Sequence, residues 1–144
     1  MVKKDKDAER LAEKAAGLMR DKKANCAETI ILVAAERFGF DPALSRVGTP
    51  FGGGISANGD LCGFLTGGLA VIGIMFGRTE PGDPEAKKRC YAIGNEYYRW
   101  FMRHYGRCTD LKGDPAVPPY DVCYAAAKVA VPHLIALVDR NRKR

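Results

Sequence analysis

Five cysteines, at positions 26, 62, 90, 108 and 123, are the residues of this chain best suited to chemistry. The thiolate, rather than the thiol, attacks disulfides and ligates soft metals. Three of the five stand where a helix is expected to begin. Cys26 follows Asn25, Cys62 follows Asp60 by two, and Cys123 follows Asp121 by two. Unpaired N–H groups and the positive end of the helix dipole favour an anion in a first turn, so a thiol there should lose its proton more readily. Cys108 falls in an irregular stretch, where core packing explains a cysteine poorly. Cys90 belongs to the stripe Ala86, Cys90, Ile93, Tyr97, Phe101 and reads as core filler.

The spacings exclude several familiar sites. There is no C-x-x-C pair, no C-x-x-C-H for covalent haem and no close ferredoxin-type run, so any shared site must be assembled by the fold. His104, four residues before Cys108, and His133 read as surface or packing residues. No Ser-His-Asp order, phosphate loop or paired-carboxylate signature points to a hydrolase or a nucleotide enzyme.

The elements that must position these thiols are helical. Ala8, Leu11, Ala12, Ala15, Leu18 and Met19 recur at helical spacing. A second helix starts at a capping-box spacing, Asn25 to Glu28, and stops at Gly39. Asp41-Pro42 opens a short helix to about Val47. Thr49 to Asn58, with Gly52-Gly53-Gly54, reads as a tight backbone loop, and Asp60 as the cap of a glycine-rich helix. Asp83-Pro84-Glu85 begins the longest helix, ending near Tyr105. Arg107 to Pro119 is irregular, and Asp121 caps a last helix to about Asp139 that Pro132 kinks or divides. With no alternating strand pattern and no repeat, the expectation is an all-α, single-domain bundle of five or six helices.

At 144 residues the chain has the size of one domain, with residues 1–7 and 140–144 expected as flexible charged ends. The charged stretch Met1 to Lys14 does not resemble a secretory or transit signal, which makes the cytoplasm the expected compartment and free or ligating thiols the expected state of the cysteines. The net charge of +6 is concentrated at the ends, and the closing basic tail lacks the interleaved aromatics of a single-strand binder, so no nucleic-acid partner is expected. The longest uncharged run, Leu61 to Gly77, is short for a bilayer span and reads as a buried central helix. Its glycines, one turn apart at Gly63 and Gly67 and again at Gly73 and Gly77, let another backbone approach closely.

Taken in order, Asn25-Cys26-Ala27-Glu28, Phe51-Gly52-Gly53-Gly54-Ile55, Cys62-Gly63-Phe64-Leu65-Thr66-Gly67 and the single cysteines 108 and 123 resemble the C-GCAxxG-C-C family of redox-active proteins. The resemblance runs from about Leu11 to Leu137. It implies a four-cysteine site of Cys26, Cys62, Cys108 and Cys123, with Cys90 outside the pattern. One position departs from the family: Phe64 replaces the usual Ala, and its ring would narrow access beside Cys62.

Three functions follow as expectations. The first is thiol–disulfide exchange, an oxidoreductase chemistry in which Cys26 or Cys62 attacks a disulfide of a redox partner and a second cysteine resolves the mixed intermediate. In the second, the four cysteines ligate a metal, a [2Fe–2S] cluster suiting the resemblance better than zinc. Backbone at Gly52, Gly53, Gly54 and Gly63 would then approach that cofactor closely. The third is a helical interaction module without chemistry, whose Gly63, Gly67, Gly73 and Gly77 pack against a second copy in a homodimer.

Overall fold

The structure, a computed structural model, describes residues 4–111 and 121–143. Its α-helices are α1 (Lys6–Arg20), α2 (Cys26–Phe38), α3 (Gly63–Phe76), α4 (Pro84–His104), α5 (Cys108–Leu111) and α6 (Asp121–Arg142). The expected all-α bundle is therefore present, and among the described residues the one β-type pairing is an isolated bridge between Leu61 and Arg107.

Local sequence explains most helix starts. Asp5, Asn25 and Asp83 each accept a backbone N–H from the first turn, and Gly39 stops α2 at a positive φ of 79°. The segment after Asp41 forms, but as a 3-10 helix, Pro42–Phe51, four residues longer than expected. Lys6 and Asp7, placed by their charge in a loose end, lie in α1. Asp5 and Asp7 both pair with Arg37 of α2, which also reaches Asp139 of α6 at 2.7 Å. At the other end, Arg140 and Arg142 lie within α6, while residues 112–119 of the expected irregular stretch lie outside the described residues. At 22 residues α6 exceeds the 21 of α4, reversing the expected order, and it runs unbroken past Pro132.

Helix α1 packs along α6, α2 lies between α3 and the 3-10 segment, and α3 continues the layer to α4. The shared core contains Leu11, Ile30, Phe64, Ile72, Tyr97 and Leu134. As the uniformly apolar run predicts, α3 is central. Tyr97 of α4 is fully buried and donates its hydroxyl to the Phe64 carbonyl at 2.7 Å. Among the described helices α6 is long and apolar enough to cross a membrane by length and composition, yet 44 % of its apolar window is buried in this fold.

Between the 3-10 helix and α3 the backbone turns left-handed for five consecutive residues, with φ of 63° and 71° at Gly53 and Gly54 and of 66°, 48° and 65° at Ile55, Ser56 and Ala57. Such a conformation costs a non-glycine residue about 1–2 kcal/mol, most for a β-branched one such as Ile55. Closing hydrogen bonds hold it: Ser56 N–H to Pro50 O (2.7 Å), Ala57 N–H to Gly52 O (3.0 Å) and Asp60 N–H to Gly54 O (2.9 Å).

Candidate functional site

The start of α2 is clamped before its chemistry begins. Asn25 Oδ1 accepts the Glu28 N–H (2.8 Å), Glu28 Oε1 accepts the Asn25 N–H (2.9 Å), and Asn25 Nδ2 donates to the Thr49 carbonyl at 3.0 Å. The hydroxyl of Thr49 donates in turn to Glu28 Oε2 at 2.8 Å. This capping box and its tie to the 3-10 helix fix Cys26 as the first helical residue of α2.

Opposite it, Cys62 is itself the N-cap of α3, with no side-chain cap bond. The expected cap, Asp60, is used elsewhere. Its carboxylate pairs with Arg107 Nε at 3.1 Å and its carbonyl accepts the Cys108 N–H at 2.7 Å. Two residues too far from the helix to cap it, Asp60 instead brings Cys108 to the left-handed turn, where a Cβ on Gly54 would stand 2.7 Å from Cys108 Cβ.

Two helix N-termini thus converge on one sulfur. Cys26 accepts a hydrogen bond from the Cys62 thiol and further ones from the backbone N–H groups of Gly63, Ala27 and Gly53. Against the cost of burial, the Cys62 bond first and these donors next lower the Cys26 thiol to about 6. At neutral pH this favours the thiolate over the thiol. The same contact acts oppositely on Cys62, whose pKa is raised by its bond to the Cys26 thiolate, by burial and by the Cys26 charge, with only the Phe64 N–H opposing. The contact therefore favours an anion on Cys26 and a thiol on Cys62.

Cys26, Cys62, Cys108 and Cys123 all line one cavity of about 630 Å³. Cys26 is half-buried there, while Cys62, Cys108 and Cys123 are buried. Cys108, which the sequence places in an irregular segment poorly explained by core packing, begins the short α5 and is only 7 % exposed, with its N–H tied to Asp60. Cys90 lies outside the cavity, half-buried on α4 with its Sγ 4.0 Å from the Ile72 carbonyl, and burial raises its thiol. Phe64 points into the core and does not line the cavity, so its ring leaves access to Cys62 unnarrowed.

The four glycines singled out from the sequence touch protein atoms. Gly53 donates to Cys26, and Gly52 lies against Asn25, where a Cβ would come within 2.6 Å of Nδ2. Gly54 abuts Cys108, and a methyl at Gly63 would overlap Cys26 Sγ. Gly67 meets Ala27 of the same chain, so Gly63 and Gly67 serve contacts within the fold, while a Cβ on Gly73 would meet nothing within 4 Å. For a metal or cluster the donor set does not fit as arranged: among the described residues no three Cys, His, Asp or Glu side chains converge to hold an ion. His104 contacts the Trp100 carbonyl through Nδ1 at 2.7 Å, and His133 stacks on the Trp100 ring at 3.7 Å; both lie away from the thiols.

Sequence reasoning located Cys26 and its capping box but missed the Gly53 N–H, the thiol donation by Cys62 and the two lysines, Lys22 and Lys23, that join the lining. The Gly-Gly-Gly run was the available signal for the first of these. The other two arise only when separate segments meet.

No curated protein and no solved structure matches the chain. The family model described as "Putative redox-active protein (C_GCAxxG_C_C)" matches residues 24–132, a span that contains all four cavity cysteines. On that match, which covers well over half of its length, the chain belongs to the C_GCAxxG_C_C family.

Proposed function

We propose that this protein carries out thiol–disulfide exchange, with Cys26 as the attacking thiolate and Cys62 as the resolving thiol. The observation that supports it is that Cys26 and Cys62, at the starts of α2 and α3, line one cavity, with Cys26 Sγ packed into the space beside Gly63, the residue next to Cys62. Cys26 Sγ attacks one sulfur of a substrate disulfide, R–S–S–R′; the new bond is Cys26–S–S–R and the bond broken releases R′S⁻. The Cys62 thiol then gives up its proton to the leaving thiolate or to water and attacks Cys26 Sγ, expelling RS⁻. Two protein thiols have been oxidised to one disulfide, and one substrate disulfide has been reduced to two thiols. The reverse sequence, run by a dithiol reductant, restores the starting pair.

The electrostatics supply the order of events. While Cys26 is a thiolate, its negative charge and the hydrogen bond to it hold the Cys62 proton in place. Once Cys26 is in a mixed disulfide, both of those causes vanish, while burial still raises the Cys62 thiol and the Phe64 N–H opposes it. The first step therefore removes the largest obstacle to ionising the resolving thiol.

The test is the pH profile of alkylation, mapped cysteine by cysteine. Cys26 should react fastest, with a midpoint near 6, and limited oxidation by a small disulfide should yield a Cys26–Cys62 bond. Alkylation of Cys26 no faster at pH 7 than that of a free model thiol would remove this mechanism.

A further inference from the structure

We propose, on the exchange reading above, that the substrate class is a small disulfide carrying negative charge, drawn to Cys26 by Lys22 and Lys23 of the cavity lining. A cavity of about 630 Å³ has the size of a small-molecule site. Met19 and Tyr124 give it apolar wall, against which a carbon skeleton can lie, and both lysines are exposed members of the lining. Glu28 is the one acid among the described lining residues, and both its carboxylate oxygens are already occupied, by the Asn25 N–H and the Thr49 hydroxyl. The exposed charges of the described lining are therefore the two lysines, Glu28 and Cys26 being partly buried.

Placement of the lysines is an independent sign. The Lys22 N–H bonds to the Met19 carbonyl at 3.0 Å and the Lys23 N–H to the Leu18 carbonyl at 2.9 Å, the Schellman closure of α1. That motif requires a left-handed residue, and glycine ordinarily fills it; here Lys22 does so at a φ of 56°. A lysine kept where glycine would relieve the backbone, in the lining of this cavity, departs from local preference. The closure also fixes both lysines against the end of a packed helix, two and three residues before the cap of α2.

The reaction is the exchange already written, with R and R′ bearing carboxylates. Positive charge in the lining raises the local concentration of such a disulfide and speeds its encounter with Cys26, an effect that weakens as salt screens it.

Three probes of similar size test this: 3,3′-dithiodipropionate, bis(2-hydroxyethyl) disulfide and cystamine, which are anionic, neutral and cationic. Each rate of Cys26 oxidation is divided by that of a free model thiolate with the same probe. The expected order is anionic, neutral, cationic, with the first exceeding the last by about tenfold or more at low ionic strength and the gap closing in 0.5 M salt. In K22N/K23Q, whose Asn tolerates the left-handed conformation, the anionic-to-neutral ratio should collapse toward one. Equal or reversed rates in the wild-type protein overturn the substrate class and leave the exchange mechanism standing. Failure of all three probes to oxidise Cys26 sinks both.

Discussion

Cys26 and Gly63 stand so close that the sulfur occupies the space a side chain at position 63 would need. The Gly63 N–H, lying beside that sulfur, also favours its ionised form. A glycine one residue after the Cys62 cap thus lets the starts of α2 and α3 share a single anion.

Replacing Gly63 by Ala should damage stability and reactivity together. Its methyl would overlap Cys26 Sγ and stand 2.9 Å from the Ala27 nitrogen, and overpacking of this kind typically costs about 1–3 kcal/mol. A lower urea midpoint is expected, with the Cys26 alkylation midpoint moved up toward that of an ordinary thiol. An unchanged alkylation profile would show that the Gly63 N–H does not hold the thiolate.

Removing the thiol donor should separate attack from resolution. In Cys62→Ala the largest cause of the low Cys26 pKa is gone, so its alkylation midpoint should rise above 6, burial then being opposed only by the Gly63, Ala27 and Gly53 donors. Treatment with a small disulfide should then stop at the mixed disulfide, a mass adduct on Cys26 that persists until reductant is added. Release of the second thiol at the wild-type rate would exclude Cys62 as the resolving residue.

Stability should depend on pH through Cys26. Its folded pKa of about 6 lies below the unfolded value near 9, so the thiolate contributes fully above pH 9, progressively less as pH falls from 9 to 6, and nothing below. Cys62, raised in the folded state, remains a thiol across this window and acts in the opposite sense only where the unfolded chain ionises it, near pH 9 and above. The difference in urea midpoint between wild type and Cys26→Ala, measured anaerobically at pH 6, 7.5 and 8.5, should widen with pH. A constant difference would mean that Cys26 is not an ionised group of the folded protein.

Metal loading gives a further check. Since no three potential ligands converge among the described residues, anaerobic incubation with iron and sulfide should leave the purified protein without stoichiometric iron or sulfur-to-iron absorption. It should also leave Cys26 open to alkylation. A chromophore with matching iron, and protection of Cys26, Cys62, Cys108 and Cys123 alike, would replace the dithiol mechanism with a four-cysteine ligand set.

What the amino-acid order determined by itself is whatever acts within a few residues. Helical spacing, the Asn25–Glu28 capping box, the Asp83-Pro84 start and the uniformly apolar α3 run are local, and each appears where the sequence places it. The helix-start argument for a reactive Cys26 is local as well. Tertiary structure decided everything that depends on two segments meeting. Asp60 has the spacing of a cap but is drawn off by Arg107 and Cys108, 47 and 48 residues away. Ile55 to Ala57 adopt a left-handed conformation that their side chains disfavour, because closing hydrogen bonds over-determine the turn that brings the Gly53 N–H to Cys26. Of the cysteines at helix starts, Cys26 is favoured as the anion and Cys62 as the thiol, chiefly through their mutual contact and then through the N–H groups that packing brings to Cys26. Local propensity is written in neighbouring residues, whereas the ionisation of a buried thiol depends on the donors and charges that folding gathers around it.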